Sequence, residues 1–145
     1  MVRIAFLIVL LTPFSLAAQQ PAKDVFTGIW VANIAKSRLA RPLEGATVRI
    51  AVSGDTVSMS ATYVMAGKEL TAAETFRSDG KETPGTLTPG TMLAAKFVGT
   101  HVLASIATKG GSVIVLQTWE VSADGKTLTS RSSGTVEQVI VYERQ

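Results

Sequence analysis

From Thr47 the chain alternates apolar and polar positions with the two-residue period of a half-buried strand. Val48, Ile50 and Val52 share one face, with Thr47, Arg49 and Ala51 on the other. After a Gly54-Asp55 break, Val57, Met59, Ala61 and Tyr63 repeat the apolar face, with Ser58, Ser60 and Thr62 opposite. Successive side chains of a strand point to opposite faces, so two such runs around a short glycine-containing break predict a β-hairpin. The same punctuation continues to residue 143. Strands are predicted over 70–78, 92–98, 102–108, 113–121, 128–135 and 139–143, separated by glycine-bearing turns at 66–68, 79–81, 99–100, 109–111 and 124–126. A first strand is predicted over residues 26–32, and residues 34–44 have room for a helical turn or short helix before Pro42 stops it. The segment 82–90 carries Pro84, Gly85, Pro89 and Gly90, which predicts a loop or an edge strand, since proline cannot donate to a central ladder.

This pattern predicts an all-β antiparallel meander of about 8–10 strands. No segment repeats the 3.6-residue apolar period over a helix's length, so little material exists to cover a sheet edge. A meander of this size must pair, cover or abolish its edges, and closure into an up-and-down β-barrel does so most simply. A β-sandwich gives the same periodicity. Asp-Gly-Lys occurs at 79–81 and again at 124–126, which is read as common turn chemistry at two hairpins rather than as a duplication. The expected inner face of residues 113–121 runs Val113, Val115, Gln117, Trp119 and Val121. Gln117 there would need a hydrogen-bond partner, which either a partly hydrated cavity or a solid core with paired hydroxyls could supply.

The first residues differ from everything behind them. Arg3 precedes an apolar run from Ile4 to Leu11, then Pro13 and small residues lead to Gln19. That order is the n-region, h-region and cleavage site of a secretory signal peptide, expected to span residues 1–17 and to be cut before Ala18. The run is too short to cross a hydrocarbon core as a helix of about 20 residues. The expected product is a single domain over residues 18–145, periplasmic or secreted, without stable membrane insertion, and a monomer or weak dimer. The chain has no cysteine, so neither a lipid-modified cysteine nor a disulfide is available and an ordinary core must hold it. Its 14 Lys/Arg against 11 Asp/Glu are interspersed, with Arg3 itself in the leader. Without a basic cluster, no nucleic-acid partner is expected.

Two stretches carry a resemblance. Phe26-Thr27-Gly28-Ile29-Trp30 resembles the Gly-x-Trp signature near the start of lipocalins, and with Val141-Tyr142-Glu143-Arg144-Gln145 it is similar to the ends of intracellular fatty-acid-binding proteins. The stretch behind the leader also resembles lipocalin-like proteins of the calycin type that many bacteria export. The resemblance implies an up-and-down barrel in which Gly28 and Trp30 close one end. It departs from the fatty-acid-binding pattern in two places. Between residues 32 and 46 there is no room for a helix-turn-helix lid, and the carboxylate-clamping arginine of those proteins falls on Ile140, which leaves Tyr142 alone of that pair. The central Thr-Asp-Tyr turn of lipocalins is also absent.

Catalytic chemistry is sparsely represented. His101 is the sole histidine, and neither Ser105 nor Ser112 lies in a Gly-x-Ser-x-Gly elbow. No zinc-ligand spacing occurs, and Glu74, Asp79 and Glu82 lack the spacing of a calcium loop, so they read as solvation of a hairpin end. Glu120 alternates away from Trp119 and so points outward if Trp119 points in. No catalytic, cofactor-binding or metal residue is therefore assigned, and no cofactor is expected. Tyr63, Phe97, Trp119 and Tyr142 are the candidates for lining a ligand pocket. Three functions are consistent with these features: a non-catalytic barrel holding a small hydrophobic or amphipathic molecule, a solid-core structural or interaction module of the cell envelope, and a small hydrolase with a site grafted on the barrel.

Overall fold

The computed structural model describes residues 24–145. The predicted leader and its cleavage site before Ala18 lie outside the described residues. Asp24 decides where the first strand begins. Its carboxylate accepts hydrogen bonds from the Phe26 and Thr27 backbone N–H groups and from the Thr27 hydroxyl. Residues 24–27 are thereby held in a bend, and β1 runs over Gly28–Ala32 rather than from residue 26. A single 3-10 turn at Ile34–Lys36 follows, capped by the Asn33 side chain, which accepts from the Lys36 N–H. It is the short helical turn for which the sequence left room before Pro42.

The remaining strands are β2 (Gly45–Ser53), β3 (Thr56–Met65), β4 (Lys68–Arg77), the two-residue β5 (Thr83–Pro84), β6 (Thr91–Val98), β7 (Val102–Lys109), β8 (Ser112–Val121), β9 (Thr127–Gly134) and β10 (Gln138–Arg144). They form one antiparallel sheet of ten strands in the order β4-β3-β2-β1-β10-β9-β8-β7-β6-β5. The first and last strands of the chain therefore pair in its middle, with Trp30 opposite Arg144 and Ala32 opposite Tyr142. The sheet curls into a nearly closed up-and-down barrel whose seam lies between β4 and the β5–β6 edge. An Asp79–Lys96 bridge and the Gly80 N–H to Ala95 carbonyl bond (2.8 Å) join that seam near one end.

Registers confirm the alternation read from the first hairpin. Ala46, Val48, Ile50 and Val52 stand opposite Tyr63, Ala61, Met59 and Val57, and all face inward. The two Asp-Gly-Lys turns are chemically alike: Asp79 Oδ1 accepts the Lys81 N–H at 3.0 Å, and Asp124 Oδ1 accepts the Lys126 N–H at 3.1 Å. Each carboxylate is held below the usual range, mainly by the Lys81 backbone bond at Asp79 and by the Ser122 hydroxyl at Asp124. Local turn chemistry accounts for the repeat.

One predicted face changes partway along. Ala107 pairs with Val115 but Thr108 pairs with Val113, so Ile114 is an extra residue in β8. This bulge turns Val113 outward, where it is 57% exposed, whereas Val115, Gln117, Trp119 and Val121 keep the inner face. The neighbouring strand accommodates the kink with glycine: at φ +112°, a Cβ on Gly134 would lie 2.3 Å from the Ile114 carbonyl oxygen.

At the closed end Trp30 is fully buried. Its indole N–H donates to the Phe26 carbonyl at 2.9 Å, and Phe26 packs on Phe97 with ring centroids 5.4 Å apart. The Arg144 guanidinium lies 4.1 Å from the Trp30 ring centroid and donates to the carbonyls of Val25, Thr27 and Gly125. Gly28 leaves space for that guanidinium, since a Cβ there would meet Arg144 Nη1 at 2.7 Å. Replacing Trp30 by alanine removes the largest buried side chain of this layer, and we expect a loss of about 3–5 kcal/mol from the transfer and cavity terms together. An unchanged denaturant midpoint for Trp30→Ala would show that the ring does not carry the closed end.

Candidate ligand cavity

Above the Trp30 layer the interior is not filled. Two adjoining lobes of about 150 and 180 Å³ lie between the β2–β4 wall and the β6–β8 wall. The deeper wall of the first lobe is formed by Val48, Met59, Ala61, Phe76 and Trp119, with Tyr63 to one side. The second lobe runs beneath the 85–90 loop and is lined by Leu93, Thr91, Ala107, Ile114 and Val115 among others. Glu74, Leu87, Leu93, Ser105 and Gln117 border both. Together the lobes reach only the lower end of the roughly 300–1,000 Å³ typical of small-molecule pockets.

Strand alternation explains who faces this space. Met59 stands opposite Glu74, Ala61 opposite Ala72 and Val57 opposite Phe76, so β4 turns an alanine, a carboxylate and a phenyl ring inward. On the other wall, Leu103 pairs with Trp119, Ser105 with Gln117 and Trp119 with Ser130. Gln117 Nε2 donates to the buried Ser130 hydroxyl at 3.1 Å, which satisfies one of the inner polar groups noted in the sequence.

The four pocket candidates separate. Tyr63 and Trp119 line the first lobe. Phe97 belongs to the closed-end layer with Phe26 and borders neither lobe. Tyr142 lies behind the wall, fully buried, its ring centroid 6.1 Å from that of Trp119. Its hydroxyl has no hydrogen-bond partner among the described residues. Burial pushes this phenol far above its ordinary range, with the nearby Tyr63 adding to the effect, and burial raises Tyr63 as well.

Sequence reasoning assigned Glu74 to a solvated hairpin end, and the structure turns it inward. The signal was present in the alternation of Ala72, Glu74 and Phe76, but a carboxylate in that series reads as surface. Asp79 remains at the hairpin end beside Arg77. His101 sits at the β6–β7 turn with its Nδ1 2.8 Å from the Thr100 hydroxyl and lines neither lobe. Glu120 faces outward and pairs with Arg131 at 3.2 Å. Among the described residues no three acidic or histidine side chains converge on a common point, and no helix is long and apolar enough to cross a membrane.

The chain is similar to a fatty-acid-binding protein of Schistosoma mansoni in complex with arachidonic acid (16% identity over 83% of this chain and 96% of that one, TM-score 0.60). It is also similar to Echinococcus granulosus fatty-acid-binding protein 1 (13% identity, 83% and 97% coverage, TM-score 0.62). A fatty-acid-binding protein from Drosophila melanogaster brain matches at 19% identity, with 81% and 98% coverage and a TM-score of 0.58. The fold is the calycin barrel of the fatty-acid-binding-protein type. No protein-family model matches the sequence. No curated protein matches it either.

Ile140 of β10 is buried opposite Ser130 of β9. Tyr142 gives the barrel a pH signature. Below its unfolded pKa of about 10 the neutral phenol is common to both states; above it the unfolded chain ionises and the folded one does not. Stability is thus complete below about pH 10 and falls as pH rises further. Urea midpoints measured between about pH 8 and 11 should decline at the alkaline end, and Tyr142→Phe should make that decline shallower. Parallel curves for the two proteins would mean that Tyr142 ionises as readily folded as unfolded.

Proposed function

We propose that this chain is a non-catalytic, exported lipocalin-like protein that carries a small hydrophobic or amphipathic molecule inside its barrel. The observation that carries the reading is the unfilled interior above Trp30, walled by Met59, Phe76, Tyr63 and Trp119 and reached beneath the 85–90 loop. A barrel whose purpose was structural would gain stability by filling that space, since interiors otherwise pack to the density of organic crystals. Aromatic and aliphatic walls with a few polar groups are the usual composition of a small-molecule site. The Schistosoma mansoni protein of the same fold is in complex with arachidonic acid, which supports the barrel interior as the place of binding.

A second reading has one observation on its side. Ile106 and Leu116 pair across β7 and β8 on the outer face and are 42% and 47% exposed, a small apolar patch that an envelope partner could cover. Native mass spectrometry of protein purified from its own cells decides between them. We expect a bound small molecule released on denaturation; an empty barrel that also fails to take up a neutral lipophilic fluorescent probe would refute carriage.

Export is the other half of the proposal, and it rests on the Arg3-led apolar leader and the small residues before Gln19. We expect the protein recovered outside the cytoplasm to begin at Ala18 by N-terminal sequencing. Recovery of the intact chain with Met1 in the cytoplasm would remove the export assignment and leave the barrel reading standing.

A further inference from the structure

Glu74 is the acidic side chain that borders both lobes, and among the described residues no lysine or arginine lines either. It is half-buried on the inner face of β4 opposite Met59. Its Oε1 accepts two long hydrogen bonds from Thr86, one from the backbone N–H at 3.2 Å and one from the hydroxyl at 3.3 Å. Its Oε2 has no protein donor among the described residues. The other polar side chains on the lining, Tyr63, Thr88, Thr91, Ser105 and Gln117, are neutral. Deeper in, the Tyr142 hydroxyl is buried without a partner among the described residues. The interior thus presents one negative charge and several neutral groups over an apolar floor.

We propose that the barrel selects a lipophilic amine, whose ammonium group is held by Glu74 beneath the seam loop while its chain lies against Met59, Phe76 and Trp119. This rests on the reading that the interior is a ligand site. A carboxylate ligand would bring a second negative charge beside Glu74 with no cation to compensate either, and a partly desolvated charge without a partner is costly. An ammonium supplies what Glu74 lacks: a counter-charge and N–H donors for Oε2. Alcohols supply a donor without the charge, so they should bind between the two. The head group lies at the open side of the lobes because Glu74 shares its lining with Leu87, which is 56% exposed on the seam loop.

The test is a titration of the full-length mature protein with octylamine, octanol and octanoate at neutral pH, followed by the shifts of backbone amide resonances. We expect octylamine to bind at least about tenfold more tightly than octanoate, the order expected for a charge-assisted hydrogen bond. Glu74→Gln keeps a carbonyl acceptor for Thr86 but removes the charge, so it should abolish the amine preference and weaken octanol, whose hydroxyl loses a charged acceptor, by less than it weakens octylamine. Thr86→Ala removes the hydroxyl contact and keeps the carboxylate, so the preference should survive it. Octanoate binding as tightly as octylamine, or an amine preference that persists in Glu74→Gln, would overturn the proposal. Loss of the preference in Thr86→Ala would overturn it too, by placing selectivity in the loop. If none of the three ligands binds, the ligand-site reading itself fails, an outcome distinct from binding without preference.

Discussion

The barrel depends on the junction where its two ends of sequence meet. In the sheet order, β1 and β10 are neighbours, so their pairing joins the block β4-β3-β2-β1 to the block running from β10 to β5. Three register pairs tie the strands, from Trp30–Arg144 to Ala32–Tyr142, with backbone bonds from Asn33 to Val141 and from Gln145 to Ile29 at the margins. The side chains at this junction add what a short ladder cannot. Arg144 covers the Trp30 ring and bonds carbonyls at residues 25, 27 and 125, which secures the entering chain, the first strand and the β8–β9 turn through one guanidinium. A planar donor fork suits this role, since lysine would offer neither the stacking face nor the divergent N–H groups. The absence of a side chain at Gly28 is part of the same arrangement.

With that end sealed, hollowness at the other end becomes affordable. The buried layer of Trp30, Phe26, Leu103, Val57 and Leu128 supplies a continuous core below the cavity, while the cavity lining mixes leucines with shorter or polar side chains: Ala72, Ser105 and Gln117. Cohesion is therefore graded along the barrel axis.

Much of this was legible in the sequence because the chemistry was local. Period-two alternation around Gly54-Asp55 specifies the β2–β3 hairpin and its inner face, and Asp-Gly-Lys specifies two turns through the aspartate's bond to the lysine N–H. The bulge at Ile114 was hidden because it depends on cross-strand register with β7 and on Gly134 in another strand. Phe97 alternates inward as expected, yet which layer it joins depends on Phe26, seventy-one residues away in the chain and placed by the Asp24 bend. Glu74 was missed for a different reason. Its inward face follows from alternation alone, but a carboxylate among small residues resembles solvent-facing strand until the opposite wall is seen.

The seam has a consequence for how these molecules behave when crowded. Both outer strands of the sheet leave a row of backbone donors and acceptors that a second chain could extend, the usual route from a soluble β-protein to an aggregate. The composition of the two rims opposes this. Along β4 the charges of Lys68, Glu69, Glu74 and Arg77 would have to be brought against any incoming strand, and β5 ends after two residues at Pro84, which has no N–H to offer. The seam is thus bordered by residues that make it a poor template for self-association.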